Sequence, residues 1–136
     1  MSSFAVVDEL EKRVKAFCDG HAPVIPFYST INARVAPKDD LWVTCSFYAY
    51  DAENVCYGGP GVIESGACDV SVFAKAGKGY AAARQTADEI ALYFRQNPGV
   101  GLPVVIKRVT PNNEGFEGDA RHWYQIQFAL EYDYFN

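Results

Sequence analysis

The chain has no run of apolar residues approaching the roughly 18 that a membrane-spanning helix requires. Its opening residues, MSSFAVVDELEKRVKAF, lack the basic start and uninterrupted apolar centre of a signal peptide. A reducing cytoplasm is therefore the expected compartment. Cysteine is scarce: the four residues Cys18, Cys45, Cys56 and Cys68 include no C-x-x-C pair. A structural zinc site normally shows at least one such tight knuckle, so the expectation is reduced thiols acting as small core hydrophobes and no bound metal. Only two histidines are present, His21 and His122, with no local signature tying either to a cysteine nucleophile, and both read as ordinary surface or loop residues. Lysine and arginine number 12 against 17 acids, a formal charge of −5. That balance argues against a dedicated nucleic-acid binder, which carries a basic patch, but is compatible with a wall that DNA passes without sticking. Internal repeats and low-complexity tracts are absent.

What is present is enough for one domain. The 136 residues are 49% hydrophobic and 21% charged, ordinary proportions for a single-core protein spanning residues 1–136. Nine Phe, nine Tyr and two Trp are a heavier aromatic load, suited to half-buried positions with one polar end.

Hydrophobic periodicity divides the chain into seven elements. Phe4 to Asp19 reads as a helix whose apolar stripe is Phe4, Val7, Leu10, Val14 and Phe17. Ser2 or Ser3 is placed to cap it, and Gly20 suits a left-handed exit. Asp8, Glu9 and Glu11 precede Lys12, Arg13 and Lys15, the order the helix dipole favours. Val24 to Thr30 is a short extended piece that Pro23 and Pro26 confine to an edge. Leu41 to Tyr50 alternates, with Leu41, Val43, Cys45, Phe47 and Ala49 on a core face and Trp42, Thr44, Ser46, Tyr48 and Tyr50 on the other. Asp51 permits a turn, Val55 to Tyr57 a resumption of pairing, and GGPG at 58–61 a flexible connection. Val62 to Ala74 is a strand burying Cys68, Val70 and Val72, and Gly66 within it marks a bulge or a close backbone approach. Lys75 to Gly79 is a hinge. Tyr80 to Gln96 is a helix with Ala83, Ala87, Ile90, Ala91 and Phe94 inward, stopped by Asn97-Pro98-Gly99. Val104 to Thr110 is a short strand, Pro111 to Arg121 a polar loop, and Trp123 to Tyr132 a strand burying Tyr124, Ile126, Phe128, Leu130 and Tyr132. The predicted class is α+β in the order α-β-β-β-α-β-β, an antiparallel or mixed sheet with both helices packed on one face.

No constellation carries catalysis. The hinge KAGKG entering a helix invites a phosphate-loop reading, but Gly79 and then Tyr80 follow Lys78, so no Ser or Thr stands where G-x-x-x-x-G-K-[ST] requires one. A tight turn using glycine for positive φ explains it. Glu114, Glu117 and Asp119 cluster in a Gly-rich loop that cannot hold a carboxylate pair rigidly, so a solvated acidic loop is expected, of a length often used for binding. The non-core face of the 41–50 strand is aromatic and polar together, and Trp42, Tyr48 and Tyr50 are the candidate protein interface.

Several features coincide in one order: a capped N-terminal helix, the Pro-flanked VIPFYST, the aromatic strand LWVTCSFYAY, a Gly-rich connection, DVSVFAKAGKG and the helix YAAARQTADEIALYF. In that order, and in Val72-Phe73, Gly77 to Gly79, Ala87-Asp88 and Tyr93-Phe94, the chain resembles the tail-terminator and tail-completion proteins of tailed bacteriophages. The resemblance implies a structural virion protein without enzyme activity or cofactor. Such proteins form a ring, typically a hexamer, on the last ring of the tail tube, ending its polymerisation and meeting the head connector. Implied partners are other copies of the chain, the tail-tube protein, the head-connector protein and DNA passing without specific binding, with no membrane. The implied location is the host cytoplasm during assembly, then the virion tail. The loop Glu114, Glu117 and Asp119 would face the lumen or the tube. The alternatives are another head–tail joining component, or a small cytosolic ligand-binding or adaptor domain.

Overall fold

A computed structural model describes residues 4–29, 41–54, 62–75, 80–99, 102–110, 113–116 and 123–135. The chain order is α1 (Phe4–Gly20), β1 (Phe27–Tyr28), β2 (Leu41–Asn54), β3 (Val62–Lys75), α2 (Tyr80–Gln96), β4 (Val104–Val109), β5 (Asn113–Phe116) and β6 (Trp123–Phe135). The fold is α+β. Strands run β1-β2-β3-β6-β4 across a mixed sheet, with β5 also paired to β6. β1 is parallel to β2 and every other pairing is antiparallel.

Period-2 alternation decides the sheet's two faces. Val43 of β2, Val72 of β3 and Ile126 of β6 stand opposite one another, as do Cys45, Val70 and Phe128. These residues are buried in one cluster with Val6, Leu10, Val14 and Cys18 of α1 and Ala83, Ala87, Ile90, Ala91 and Phe94 of α2. Both helices thus cover the same sheet face, and the alanines let α2 approach closely.

Three boundaries differ from the expectation. The α1 stripe is Val6, Leu10, Val14 and Cys18, while Phe4 is 78% exposed and Val7 only half-buried. The sequence contains two interleaved apolar stripes sharing Leu10 and Val14, and packing selects the one ending at Cys18. The second strand does not turn at Asp51. It continues to Asn54 through a bulge between Ala49 and Asp51, because pairing with β3 outweighs the weak strand propensity of DAEN. Within the expected 111–121 loop, Asn113 to Phe116 pair with Gln127 to Tyr124, so Glu114 lies on a strand rather than in a loop.

Gly66 meets both expectations made for it, opposing Ala49 beside the bulge and facing Tyr132 across β6. Gly20 does not take the left-handed exit; among the described glycines positive φ falls at Gly99 (81°), where the chain leaves α2. A side chain at Gly99 would also meet Arg13, whose Nη2 donates to the Val104 carbonyl at 2.9 Å and fastens α1 to β4. Asp8 pairs with Lys12 and Glu9 with Arg13, each at 3.0 Å, in the order read from the sequence. Ser2, Ser3, residues 55–61 and the hinge glycines Gly77 and Gly79 lie outside the described residues.

Candidate functional site

The sheet face opposite the helices gathers the polar and aromatic residues of five strands. At one end Trp42 of β2 stacks on Phe73 of β3, ring centroids 4.2 Å apart and 11° from parallel, and Tyr28 of β1 meets Trp42 edge-on at 5.7 Å. Next along the sheet, Gln125 donates to the Ser71 hydroxyl at 3.1 Å. Asp69 follows, its carboxyl held above the ordinary range by desolvation, opposed by a hydrogen bond from Gln127. Tyr48 lies beside Asp69 and Glu131; its phenol is raised by desolvation and then by those two charges. Arg108 pairs with Glu131 at 3.2 Å, Lys107 with Asp133 at 3.1 Å, and Ser65 donates to Asp133 at 2.6 Å. Ile63 and Phe135, opposite one another, close the far end, with Phe135 51% exposed. The face is therefore aromatic at one end, ionic in the middle and apolar at the other.

The three aromatic candidates have unlike positions. Trp42 is half-buried beneath its ring partners, whereas Tyr48 is 46% exposed. Tyr50 sits at the β2 bulge, between Ala49 and Asp51, and its side chain lies outside what is described. Of the acidic candidates, Glu114 is on β5, whereas Glu117 and Asp119 lie outside the described residues, as do His122 and Cys56.

Cys18, Cys45 and Cys68 are free and fully buried in the helix-side core. The Cys45 thiol is hydrogen-bonded to Cys68, and that bond together with burial pushes Cys45 well above the ordinary thiol range. Burial, followed by the nearby Cys45 and Asp19, pushes Cys18 up to about 12. Protonated, enclosed thiols are poor nucleophiles and poor ligands. Among the described residues no three His, Cys, Asp or Glu side chains are grouped to hold a metal.

His21 is more engaged than a lone loop histidine. Its Nε2 lies 2.6 Å from Glu89 of α2 and its Nδ1 2.9 Å from the Pro23 carbonyl. Both nitrogens donate when the ring is protonated, and these bonds, the Pro23 one first, raise its pKa above 6.5. With both nitrogens occupied it is a clamp between the α1–β1 connection and α2, not a free base. It borders an open groove of about 420 Å³ whose lining includes Pro23, Val24, Pro26, Leu41 and Thr86. No sequence signal links His21 to Glu89, 68 positions away.

No protein-family profile and no curated protein matches the chain. Five solved chains match it in structure. One of them aligns over 98% of this chain and 96% of its own length, with a TM-score of 0.68 and 23% identity. The likeness is one of fold, over nearly the full length of both chains. Among the described residues, no helix is long and apolar enough to cross a membrane.

Proposed function

We propose that this chain is a tail-terminator-like assembly protein, acting by binding rather than by catalysis. Copies assemble head to tail into a ring on the last ring of a phage tail tube, stop its growth and present a surface to the head connector. The observation that carries the reading is the helix-free sheet face, which bears the Trp42–Phe73–Tyr28 cluster at one end and half-exposed Tyr48 further along β2, and which no described element covers. Tyr and Trp are favoured in the cores of protein interfaces. A ring needs two different complementary patches on each copy, and a domain with helices on one sheet face and aromatics on the other supplies unlike surfaces. The family resemblance in the sequence and the α+β fold support the same reading. On it, assembly takes place in the host cytoplasm and the finished protein resides in the virion tail.

The acids Glu114, Glu117 and Asp119 face the lumen or the tube in this proposal, keeping passing DNA from adhering. Charge reversal of all three that leaves assembly and DNA passage unchanged refutes that part. The principal test is mass in solution by light scattering, alone and with tail-tube protein. A ring formed alone or on the tube supports the proposal. A strict monomer that also ignores the tube protein refutes it.

A further inference from the structure

His21 is held between two groups that accept hydrogen bonds. Its Nε2 lies 2.6 Å from Oε2 of Glu89, and its Nδ1 lies 2.9 Å from the Pro23 carbonyl oxygen. A neutral imidazole carries one N–H, so only the imidazolium satisfies both contacts. The side chain is therefore a proton-dependent bridge, with one end on α2 and the other on the connection that leaves α1.

That connection is pinned on either side of the contact. The Ile25 N–H donates to the Cys18 carbonyl at 3.1 Å, and the Pro26 carbonyl accepts from the Val43 N–H at 2.9 Å. Ile25 is 3% exposed, whereas Ala22, Pro23 and Val24 form an exposed arc between the pins, Val24 to 62%. The arc is one wall of the open groove of about 420 Å³, and Ala82, Gln85, Thr86 and Glu89 of α2 form the other. His21 joins the two walls.

The two bonds are unequal. The Glu89 contact is the shorter, and a hydrogen bond to a charged acceptor is roughly twice as strong as one to a carbonyl. A neutral ring with its proton on Nδ1 would turn the Nε2 lone pair on the carboxylate. With the proton on Nε2, the Nδ1 lone pair faces the carbonyl instead, which is the smaller repulsion. Around the ring, the second oxygen of Glu89 accepts from Gln85 at 3.2 Å, and Phe17 of α1 faces the imidazole with centroids 6.0 Å apart. Lys15 and Asp19, at the end of α1, pair with each other at 2.8 Å.

We propose that this arrangement is a pH-operated latch: loss of the His21 proton releases the Pro23 carbonyl, keeps the bond to Glu89, and lets the arc of Ala22, Pro23 and Val24 swing away from α2, opening the groove toward Thr86. The protonated form is the closed one, in keeping with the two bonds that raise the pKa of His21. The latch is a property of this chain alone and does not rest on the tail-assembly reading.

Ring-nitrogen NMR on the isotope-labelled full chain, from about pH 5 to about pH 9, tests it. Below the midpoint both His21 nitrogens should be protonated. Above it Nε2 should keep its proton and Nδ1 lose it, with the Val24 amide shifting at the same midpoint. Thr86 is 5% exposed, so a Thr86→Cys variant starts from slow labelling. A methanethiosulfonate reagent, mapped by mass spectrometry, should modify that site about fivefold faster per thiolate above the midpoint than below it. His21→Gln, which cannot titrate, should remove both pH steps while the rest of the amide spectrum stays in place, which separates the latch from general loosening at high pH. The idea is overturned if the neutral ring carries its proton on Nδ1, if the Val24 amide does not follow the His21 midpoint, or if the labelling step survives in the His21→Gln background.

Discussion

Replacing Gly66 by alanine tests the central packing of the sheet. A Cβ at that position falls 2.5 Å from the Tyr132 hydroxyl oxygen, 2.8 Å from its Cζ, and closer still to the Tyr48 carbonyl. Tyr132 is fully buried and donates that hydroxyl to Glu64 at 2.8 Å, so its ring cannot move without breaking the bond. The Tyr48 carbonyl belongs to the backbone just before the β2 bulge and has no rotamer to escape into. Overpacking of this kind costs about 2 kcal/mol. Displacing a hydroxyl from a carboxylate adds about 1.5 kcal/mol, and reduced freedom of the unfolded chain returns about 0.7 kcal/mol. The net loss is about 3 kcal/mol, which for 136 residues lowers Tm by roughly 10 °C. Equilibrium urea unfolding of wild type, Gly66→Ala, Tyr132→Phe and the double variant measures it. In the Tyr132→Phe background the alanine should cost about 1 kcal/mol less, because the hydroxyl contact is gone. A Gly66→Ala cost below about 0.5 kcal/mol, or strict additivity of the two changes, refutes the packing account.

Trp42→Ala removes a stacked, half-buried ring and should cost about 3 kcal/mol of stability, whereas Tyr48→Ala should stay within about 0.5 kcal/mol yet weaken assembly; unfolding curves paired with light scattering separate the two. Cys18, Cys45 and Cys68 should resist thiol reagents in the native protein and react only at the rate of unfolding, as followed by mass-spectrometric mapping. His21 should titrate above 6.5 by NMR, and Glu89→Gln should lower that value. Because its folded pKa is raised, the clamp's stabilisation is full below about 6.5 and is lost as pH rises through the folded pKa. The stability gap between wild type and Glu89→Gln should therefore close toward alkaline pH.

Alternation was legible wherever a strand buries one face. The inward residues of β3 and β6 and the inward stripe of α2 follow from period 2 and period 3.6, because Cys68, Val70, Val72, Ile126, Phe128, Leu130, Ala83, Ala87, Ile90 and Phe94 recur at those spacings among mostly polar or small outward neighbours. Legibility failed where tertiary contacts choose between equal local patterns. Phe4-Val7-Leu10 and Val6-Leu10-Val14 are both good helical stripes, and only packing against the sheet separates them. Asp51 to Asn54 and Asn113 to Phe116 carry turn-like residues and become strands because a neighbouring strand offers backbone partners. The aromatic face of β2 was visible as a face. That Trp42 is held under Phe73 and Tyr28 while Tyr48 projects depends on β1 and β3 as neighbours, which no window of the sequence contains.

The same asymmetry bears on the proposed association. A two-fold dimer uses one self-complementary patch, whereas a ring of identical copies needs two patches that differ. This sheet differs from itself twice over. One face is sealed by α1 and α2 and the other carries Tyr48 and its ionic neighbours; one edge is closed by Arg13 and Pro98 and the other ends its described pairing at Thr44. On the ring proposal, Tyr48→Ala perturbs only the join made by the open sheet face and leaves the surface of the helix layer as it was, so a two-patch ring loses one of its two contacts and a patch-on-patch dimer through the helices loses none.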